Sequence, residues 1–144
     1  MNEKDKAEVF GDFDPELYKA EAEARWDKTE AFKESRRRTR GYTKADWLAI
    51  KAEGAAIESG LAAVFDSGAP ASSPAAMEIV ERHRCQINDR FYPCSPEMHS
   101  ALGRMLADDP RFAAHYEKIR PGLAVYVRDA ILSNAARLSK AAGA

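Results

Sequence analysis

Several features that would assign a function quickly are missing from this sequence. No run approaches the roughly 18 consecutive apolar residues of a membrane span. Residues 1–8 are nearly all polar or charged, make no secretory signal and are expected to be disordered. Two cysteines without a signal indicate reduced thiols in the cytoplasm and not a disulfide framework. A net charge of −1 gives no bulk attraction to nucleic acid or to an anionic membrane.

Aliphatic side chains larger than alanine are almost absent from the first forty residues, where Val9 and Leu17 are the only Val, Leu or Ile. Capping residues predict helices over about 15–26 and 29–38. With so little surface to bury, these helices cannot easily offset the entropy of ordering, so we expect loose attachment or partial disorder when nothing is bound. The large side chains there are aromatic, among them Tyr18, Trp26 and Phe32.

From residue 41 onward, apolar residues recur with helical spacing. Thr43 and Asp46 resemble a capping box, with Asp in place of the more usual Glu or Gln. Behind them an apolar stripe runs from Trp47 to Val64 at steps of three and four residues, which predicts a long amphipathic helix. Gly54 lies within the stripe, where a missing side chain lets another helix, or a ligand, approach closely.

Proline marks the remaining helix starts. Four of the seven prolines follow Ser or Asp, the order of an N-cap and a first helical residue. Helices are therefore predicted to open at Ser73-Pro74, Ser95-Pro96 and Asp109-Pro110, and a last one follows Pro121-Gly122. No segment alternates β-branched and polar residues, so the expected fold class is all-α.

Arginine occurs in two places that the sequence leaves open. Those at 36–38 and 40 end a predicted helix, where cations suit the negative end of the dipole; contact with an anion or nucleic acid is the alternative. Arg84 lies in the apolar stripe of the helix after Pro74. It either extends to the edge of the buried face or directs its charge at a bound partner.

Cys94 is the residue best placed for chemistry. Ser95 and Pro96 have the chemistry of an N-cap and a first helical residue, so Cys94 precedes a helix start, where unpaired N–H groups and the dipole favour an anion. We therefore expect its thiol to have a lowered pKa. Cys85 lies inside a predicted helix and is interpreted as a packing thiol.

Metal binding and catalysis both find partial support in the same stretch. His83, Cys85, Cys94 and His99 could ligate zinc, but their spacing matches no common zinc site. Cys94 could pair with His99 or His115 as a nucleophile and base, yet no orienting group or oxyanion donors can be identified. No metal site, cofactor or enzymatic activity is predicted.

Two neighbouring motifs carry a family resemblance: FYPCSPEMH at 91–99 and DPRFAAHYEK at 109–118. RRTRGYTKADW at 37–47 and the segment 121–136 fit the same pattern. Together they resemble the TipAS-type antibiotic-recognition domain, the C-terminal effector domain of MerR-family transcriptional activators. The resemblance runs from about residue 9 to residue 137, nearly the whole chain.

The resemblance implies a globin-like helical domain over 9–144, with a mobile N-terminal lid at 9–40 and a helical core at 41–144. It implies a cleft that binds thiopeptides and other bulky aromatic antibiotics, in which the thiol of Cys94 adds to a dehydroalanine of the ligand. Residues that would line this cleft also fit core positions, except Tyr92 and His99, which flank the cysteine and are the favoured contacts. The others are Tyr18, Trp26, Phe32, Trp47, Phe91, Met98, Phe112 and Tyr116.

The DNA-binding and coiled-coil segments of such activators are not recognisable in this chain. The isolated chain is therefore expected to be monomeric and to bind no promoter DNA itself, whereas a full-length regulator would be a homodimer. A redox- or stress-responsive interaction module that uses Cys94 as a reversible thiol is the alternative function. A helical protein-interaction domain without a small ligand is a third.

Overall fold

The described part of the chain is helical between short turns. The structure, a computed structural model, describes residues 30–143, apart from the side chains at 32, 142 and 143. Within this range no strand occurs, and the all-α prediction is confirmed. The helices are α1 (Glu30–Thr39), α2 (Lys44–Asp66), α3 (Pro74–Arg90), α4 (Pro96–Asp108), α5 (Pro110–Ile119) and α6 (Leu123–Gly143).

Side-chain caps fix the helix starts, as the sequence predicts. The Thr43 N–H donates to Asp46 Oδ2 at 2.9 Å and the Asp46 N–H donates to Thr43 Oγ1 at 3.2 Å, which is the reciprocal pattern of a capping box. Ser95 accepts a backbone N–H at 3.2 Å before α4, and Asp109 accepts one at 3.0 Å before α5. α2 ends before Gly68, whose φ of +82° suits glycine.

Residues 30–55 and 86–93 form one compact unit. Glu34 accepts hydrogen bonds from Arg37 and Arg38 at 2.7 Å, and these bonds, that of Arg37 foremost, lower its pKa to about 2. Arg38 also donates to the backbone carbonyl of Asn88 at 2.7 Å. Arg37 and Arg38 therefore lie in the last turn of α1 and bind groups of the protein itself, which favours a structural role over contact with an anion or nucleic acid.

Polar bonds also hold the start of α2 to the end of α3 within this unit. Gln86 Nε2 donates to the Ile50 carbonyl at 3.0 Å, and Arg90 Nη2 lies 2.6 Å from Glu53 Oε2. Tyr42 donates its hydroxyl to the Arg90 carbonyl. These bonds fix the backbone at residues 86–90, just before the FYPCSPEMH motif at 91–99 that contains Cys94.

Residues 56–85 and 94–143 form the second compact unit, which holds the main hydrophobic core. α4 packs along α6, and α5 packs against both. The buried apolar side chains come from five helices: Ile57, Leu61, Ala76, Val80, Leu106, Tyr116, Leu123, Ala124, Val127, Ala130 and Ile131.

Glycine permits close helix packing at positions that the sequence did not single out. A Cβ on Gly103 would lie 3.1 Å from Ile131 Cγ2, and one on Gly60 would lie 2.9 Å from Ile79 Cδ1. At Gly54 a Cβ would meet no atom of the described residues within 4 Å. The predicted close approach of another helix at Gly54 is therefore not found among the described residues, and the approach of a ligand there stays a prediction.

Some sequence predictions lie outside the described residues. The predicted disorder of 1–8, the helix at 15–26 and most of the segment 9–40 belong to this group, as do Tyr18, Trp26 and the side chain of Phe32. Across residues 30–143, no helix has both the length and the apolar character to span a bilayer.

Candidate functional site

Cys94 immediately precedes the N-cap of α4 and is fully buried, with 0% of its surface exposed. Its Sγ lies 3.9 Å from the Ser95 carbonyl oxygen, a long S–H···O contact. Burial raises the pKa of the thiol from 9.0 to about 11, although the Arg84 guanidinium acts in the opposite direction. The prediction of a lowered pKa is wrong, because desolvation of the sulfur outweighs the helix start and the nearby cation.

Arg84 connects the end of α3 to the backbone of this cysteine. Its Nε and Nη2 donate to the two carboxylate oxygens of Glu81 at 2.6 and 2.7 Å, and its Nη1 donates to the Cys94 carbonyl at 2.7 Å. The side chain is only 20% exposed. The guanidinium is bound by protein groups and only partly reaches solvent, and a contact of its charge with a bound partner stays a prediction.

Glu81 is itself anchored from α6. Asn134, which is fully buried, donates Nδ2 to Glu81 Oε1 at 3.1 Å and accepts a hydrogen bond from Arg137. The bonds from Arg84 and then from Asn134 lower the pKa of Glu81 against the opposing effect of burial. A chain of polar side chains thus runs from α6 through α3 to the Cys94 backbone.

Two histidines, the buried His99 and the partly buried His83, form a hydrogen-bonded pair beside this chain. His83 Nδ1 lies 2.9 Å from His99 Nε2, so one ring donates and the other accepts, and their centroids are 5.1 Å apart. Burial lowers the pKa of His83 to about 4 and that of His99 to about 3. His99, a predicted ligand contact, is only 1% exposed and faces its partner imidazole in this state.

His115 lies in a different environment on α5. Its Nε2 is 2.5 Å from Glu58 Oε1, and this bond raises the pKa of the half-exposed imidazole. Next to it, Tyr116 is buried in the core, and burial raises the pKa of its phenol. The surroundings therefore lower the pKa of His83 and His99 and raise that of His115.

The other predicted contacts in the second unit divide by exposure. Met98 is 37% exposed on the first turn of α4. Phe112 packs against the hydrophobic core, to which Tyr116 belongs. Met98 is thus the most exposed of these three, Phe112 is partly buried and Tyr116 is buried, while the predicted ligand contacts of all three stay predictions.

An aromatic cluster in the first unit contains two more predicted contacts. Trp47 lies between Tyr42, edge-on at a centroid distance of 5.6 Å, and Phe91 at 6.3 Å. Trp47, Phe91 and Tyr92 are each partly exposed. Tyr42 was not predicted as a site residue, although its position before the capping box of α2 could have indicated it.

Cys85 is exposed, so its interpretation as a packing thiol is wrong. It lies on the outward side of α3 near the end of that helix. Within residues 30–143, no three His, Cys, Asp or Glu side chains come together as a metal site. The contacts Arg84–Glu81 and His83–His99 were also missed, since only the three-residue spacing of Glu81 and Arg84 was visible in the sequence.

Comparison with known proteins places this geometry in context. The chain is 44% identical over 137 residues to the HTH-type transcriptional activator TipA of Streptomyces coelicolor, which covers 95% of this chain and 54% of the relative. It is 30% identical to the HTH-type transcriptional regulator SkgA of Caulobacter vibrioides, over 88% of this chain and 52% of the relative. The chain therefore spans about half the length of these curated relatives.

Solved structures show the same fold. A structure of nosiheptide in complex with TipAS, from a thiopeptide antibiotic multidrug resistance system of Streptomyces lividans, matches with a TM-score of 0.89 at 43% identity, over 96% of this chain and 97% of that one. The antibiotic-binding domain of a TipA-class multidrug resistance transcriptional regulator matches with a TM-score of 0.58 at 42% identity, over 62% of this chain and 96% of that one. The fold is thus the helical, globin-like fold of TipAS.

A family model described as the TipAS antibiotic-recognition domain matches residues 18–134. That range contains Cys94, its polar supports on α3 and α6, and the aromatic cluster around Trp47. The chain belongs to the TipAS antibiotic-recognition domain family.

Proposed function

We propose that this chain is the antibiotic-binding effector domain of an HTH-type transcriptional regulator and that it binds thiopeptide-like or other bulky aromatic compounds. The observation that carries the proposal is the match over almost the whole chain to TipAS in complex with the thiopeptide nosiheptide. Identity of 43% over the full fold goes beyond a shared architecture. Ligand binding, and not catalysis with turnover, is the activity proposed.

Cys94 is the proposed point of covalent attachment. The sulfur would add to the β-carbon of a dehydroalanine, the carbon–carbon π bond would open, and the thiol proton would end on the α-carbon. No oxidant, reductant or leaving group is required. Because burial holds the thiol neutral, we expect ligand binding to open the sulfur to the alkene before the bond forms.

Aromatic surface is the second part of the proposed recognition. Trp47, Phe91 and Tyr92 are partly exposed, and ring edges and faces suit the flat heterocycles of a thiopeptide. Met98 offers an adaptable apolar contact on the first turn of α4. Phe112, Tyr116 and His99, together with Tyr18, Trp26 and Phe32, complete the proposed contacts.

The segment 9–40 is proposed to close over the ligand as a lid on a core at 41–144. Its supply of aromatic but few aliphatic side chains supports this, because such a segment gains enough apolar contact to order only when a ligand adds surface. Ordering on binding would transmit the presence of the drug to the rest of a regulator.

We propose that the isolated chain is a monomer and that contact with DNA belongs to another part of a full-length, dimeric regulator. The net charge of −1 supports the placement of DNA contact elsewhere, because duplex binding draws on positive charge. Since the relatives are transcriptional regulators, the proposed place of action is the cytoplasm.

The proposal is tested by incubating the chain with a dehydroalanine-bearing thiopeptide and measuring the intact mass and the melting temperature. Wild type and Cys85→Ser should gain one ligand mass, and Cys94→Ser should not. The exposed Cys85 is the matched control for non-specific alkylation. A higher melting temperature without added mass would support binding and contradict covalent capture. No change in either quantity would overturn the proposed function.

The redox alternative has less support from the site. Peroxide reacts with the thiolate, and a buried thiol with a pKa of about 11 supplies very little of it at neutral pH. We therefore expect little sulfenic acid at Cys94 when the wild type is titrated with peroxide beside Cys94→Ser.

A further inference from the structure

All three guanidinium nitrogens of Arg84 donate hydrogen bonds to groups of the protein. Two nitrogens hold the Glu81 carboxylate as a bidentate pair, and the third donates to the Cys94 carbonyl oxygen. We propose that Arg84 is the positioning residue of Cys94, holding the cysteine backbone in place through its carbonyl and placing a positive charge near the thiol. This inference rests on the proposed role of Cys94 in ligand capture.

The backbone around the sulfur is fixed on both sides of the Cys94–Ser95 peptide bond. On one side, the Arg84 guanidinium binds the Cys94 carbonyl. On the other, Ser95 is the N-cap of α4, with φ −70° and ψ 163°, and precedes Pro96, which restricts it to extended backbone. The peptide plane that follows Cys94 is therefore anchored on both sides, which restricts the direction of the Cys94 side chain.

Arg84 can act this way because it is itself fixed. The bidentate pair with Glu81 is short and mostly shielded from water, so it resists rotation more than an exposed ion pair does. Asn134 holds the same carboxylate from α6, and Arg137 holds Asn134. Hydrogen bonds through Glu81 and Asn134 thus fix the position of the guanidinium relative to α6, the most buried helix of the second unit.

The charges near the sulfur act in two directions. Arg84 lowers the pKa of the Cys94 thiol, whereas Glu81 and Cys85 raise it. If Arg84 were removed, the charge of the Glu81 carboxylate would act on the thiol without its counter-charge, and formation of the thiolate would become harder. A residue that served only to pack would have the opposite effect, since its loss would loosen the site and expose the sulfur to water.

This difference in sign gives the experiment. In a Cys85→Ser background, the rate of Cys94 alkylation by iodoacetamide is measured by intact mass between pH 7 and pH 11. Arg84→Met removes the charge at similar length, Arg84→Lys keeps a charge, and Arg82→Met removes an exposed arginine from the same helix as the matched control. Circular dichroism melts report whether each variant is folded.

We expect alkylation of Arg84→Met to be about three- to tenfold slower than in the background protein at pH 8, which corresponds to a pKa higher by about half to one unit. Arg82→Met should match the background, and Arg84→Lys should recover part of the lost rate. Faster alkylation of Arg84→Met, or a profile equal to that of Arg82→Met, would overturn the proposal. Because no antibiotic is used, this result is independent of whether the chain binds a thiopeptide.

Discussion

At Cys94, the surroundings act on one sulfur in opposite directions. Two features favour the thiolate. The sequence predicts one of them, the helix start that follows Cys94, and only the structure reveals the other, the nearby Arg84 guanidinium. Removal of the sulfur from water favours the thiol and is the larger effect, since the pKa rises to about 11. The free chain therefore holds its nucleophile in an unreactive form.

The first prediction concerns the pH dependence of this thiol. With Cys85→Ser, the rate of Cys94 alkylation should rise about tenfold per pH unit between pH 7 and pH 10, because the thiolate fraction at pH 8 is only about 0.1%. Iodoacetamide labelling followed by mass spectrometry measures it. A plateau near pH 8 or 9 would contradict a raised pKa.

The His83–His99 pair predicts a loss of stability in acid. Both folded-state pKa values lie below the usual 6.5, so stability is fully present above about pH 6.5 and is lost as the pH falls toward the folded values of about 4 and 3. Urea unfolding at pH 7.5 and pH 5.0 should differ by about 2 kcal/mol or more. In His99→Gln, which cannot be protonated at this position, the difference should shrink; an unchanged difference would contradict the assignment.

His115 predicts a smaller effect of opposite sign. Its bond to Glu58 raises its pKa, so its contribution is fully present below about pH 6.5 and is lost as the pH rises through the folded value. The pair is about half exposed, so we expect less than about 1 kcal/mol. His115→Gln should therefore lose stability at pH 5.0 but not at pH 8.5, measured by the same unfolding curves.

At the scale of helices, two glycines predict opposite outcomes for the same substitution. Gly103→Ala should destabilise the fold by about 1 to 3 kcal/mol, because the new methyl would press on the fully buried Ile131. Gly54→Ala should stabilise it by about 0.5 to 1 kcal/mol, because alanine favours a helix and its methyl meets open space. Thermal melts of both variants test the pair, and equal shifts would contradict it.

Helix starts were the most predictable part of the fold. Ser95, Asp109 and the Thr43–Asp46 box act through bonds to residues two or three positions away, so local sequence contains the whole interaction. The family resemblance supplied the architecture, which periodicity alone limited to all-α. Boundaries agreed closely because proline and glycine end or begin helices by their own geometry.

The site was less predictable, for a physical reason. His83 and His99 are 16 residues apart on different helices, and their hydrogen bond depends on how α3 and α4 pack. The pKa of Cys94 depends on burial, which no neighbour in the sequence reveals, and the exposure of Cys85 depends on which side of α3 faces outward. Tertiary packing decides each of these properties.

At the scale of the whole molecule, ligand binding should appear as added stability. A compound that binds only the folded chain raises the free energy of unfolding by about 2.7 kcal/mol at a free concentration one hundred times its Kd. Urea unfolding across a thiopeptide series with Cys94→Ser, which excludes the covalent step, should follow this logarithmic dependence. A free energy that stays constant with added ligand would show that no non-covalent complex precedes capture.

Because one cysteine is exposed and the other is buried, the rates at which the two thiols react report how often the native chain opens around Cys94. Cys85 meets solvent at all times, whereas Cys94 meets it only when its surroundings open. A colorimetric disulfide reagent should therefore release its chromophore in two phases of equal size. The fast phase is the reaction of Cys85 and gives the rate at an exposed thiol. The slow phase is the reaction of Cys94, and its rate depends on how often the surroundings of that residue open. The ratio of the two rate constants measures in one experiment how often the unmodified protein admits an electrophile.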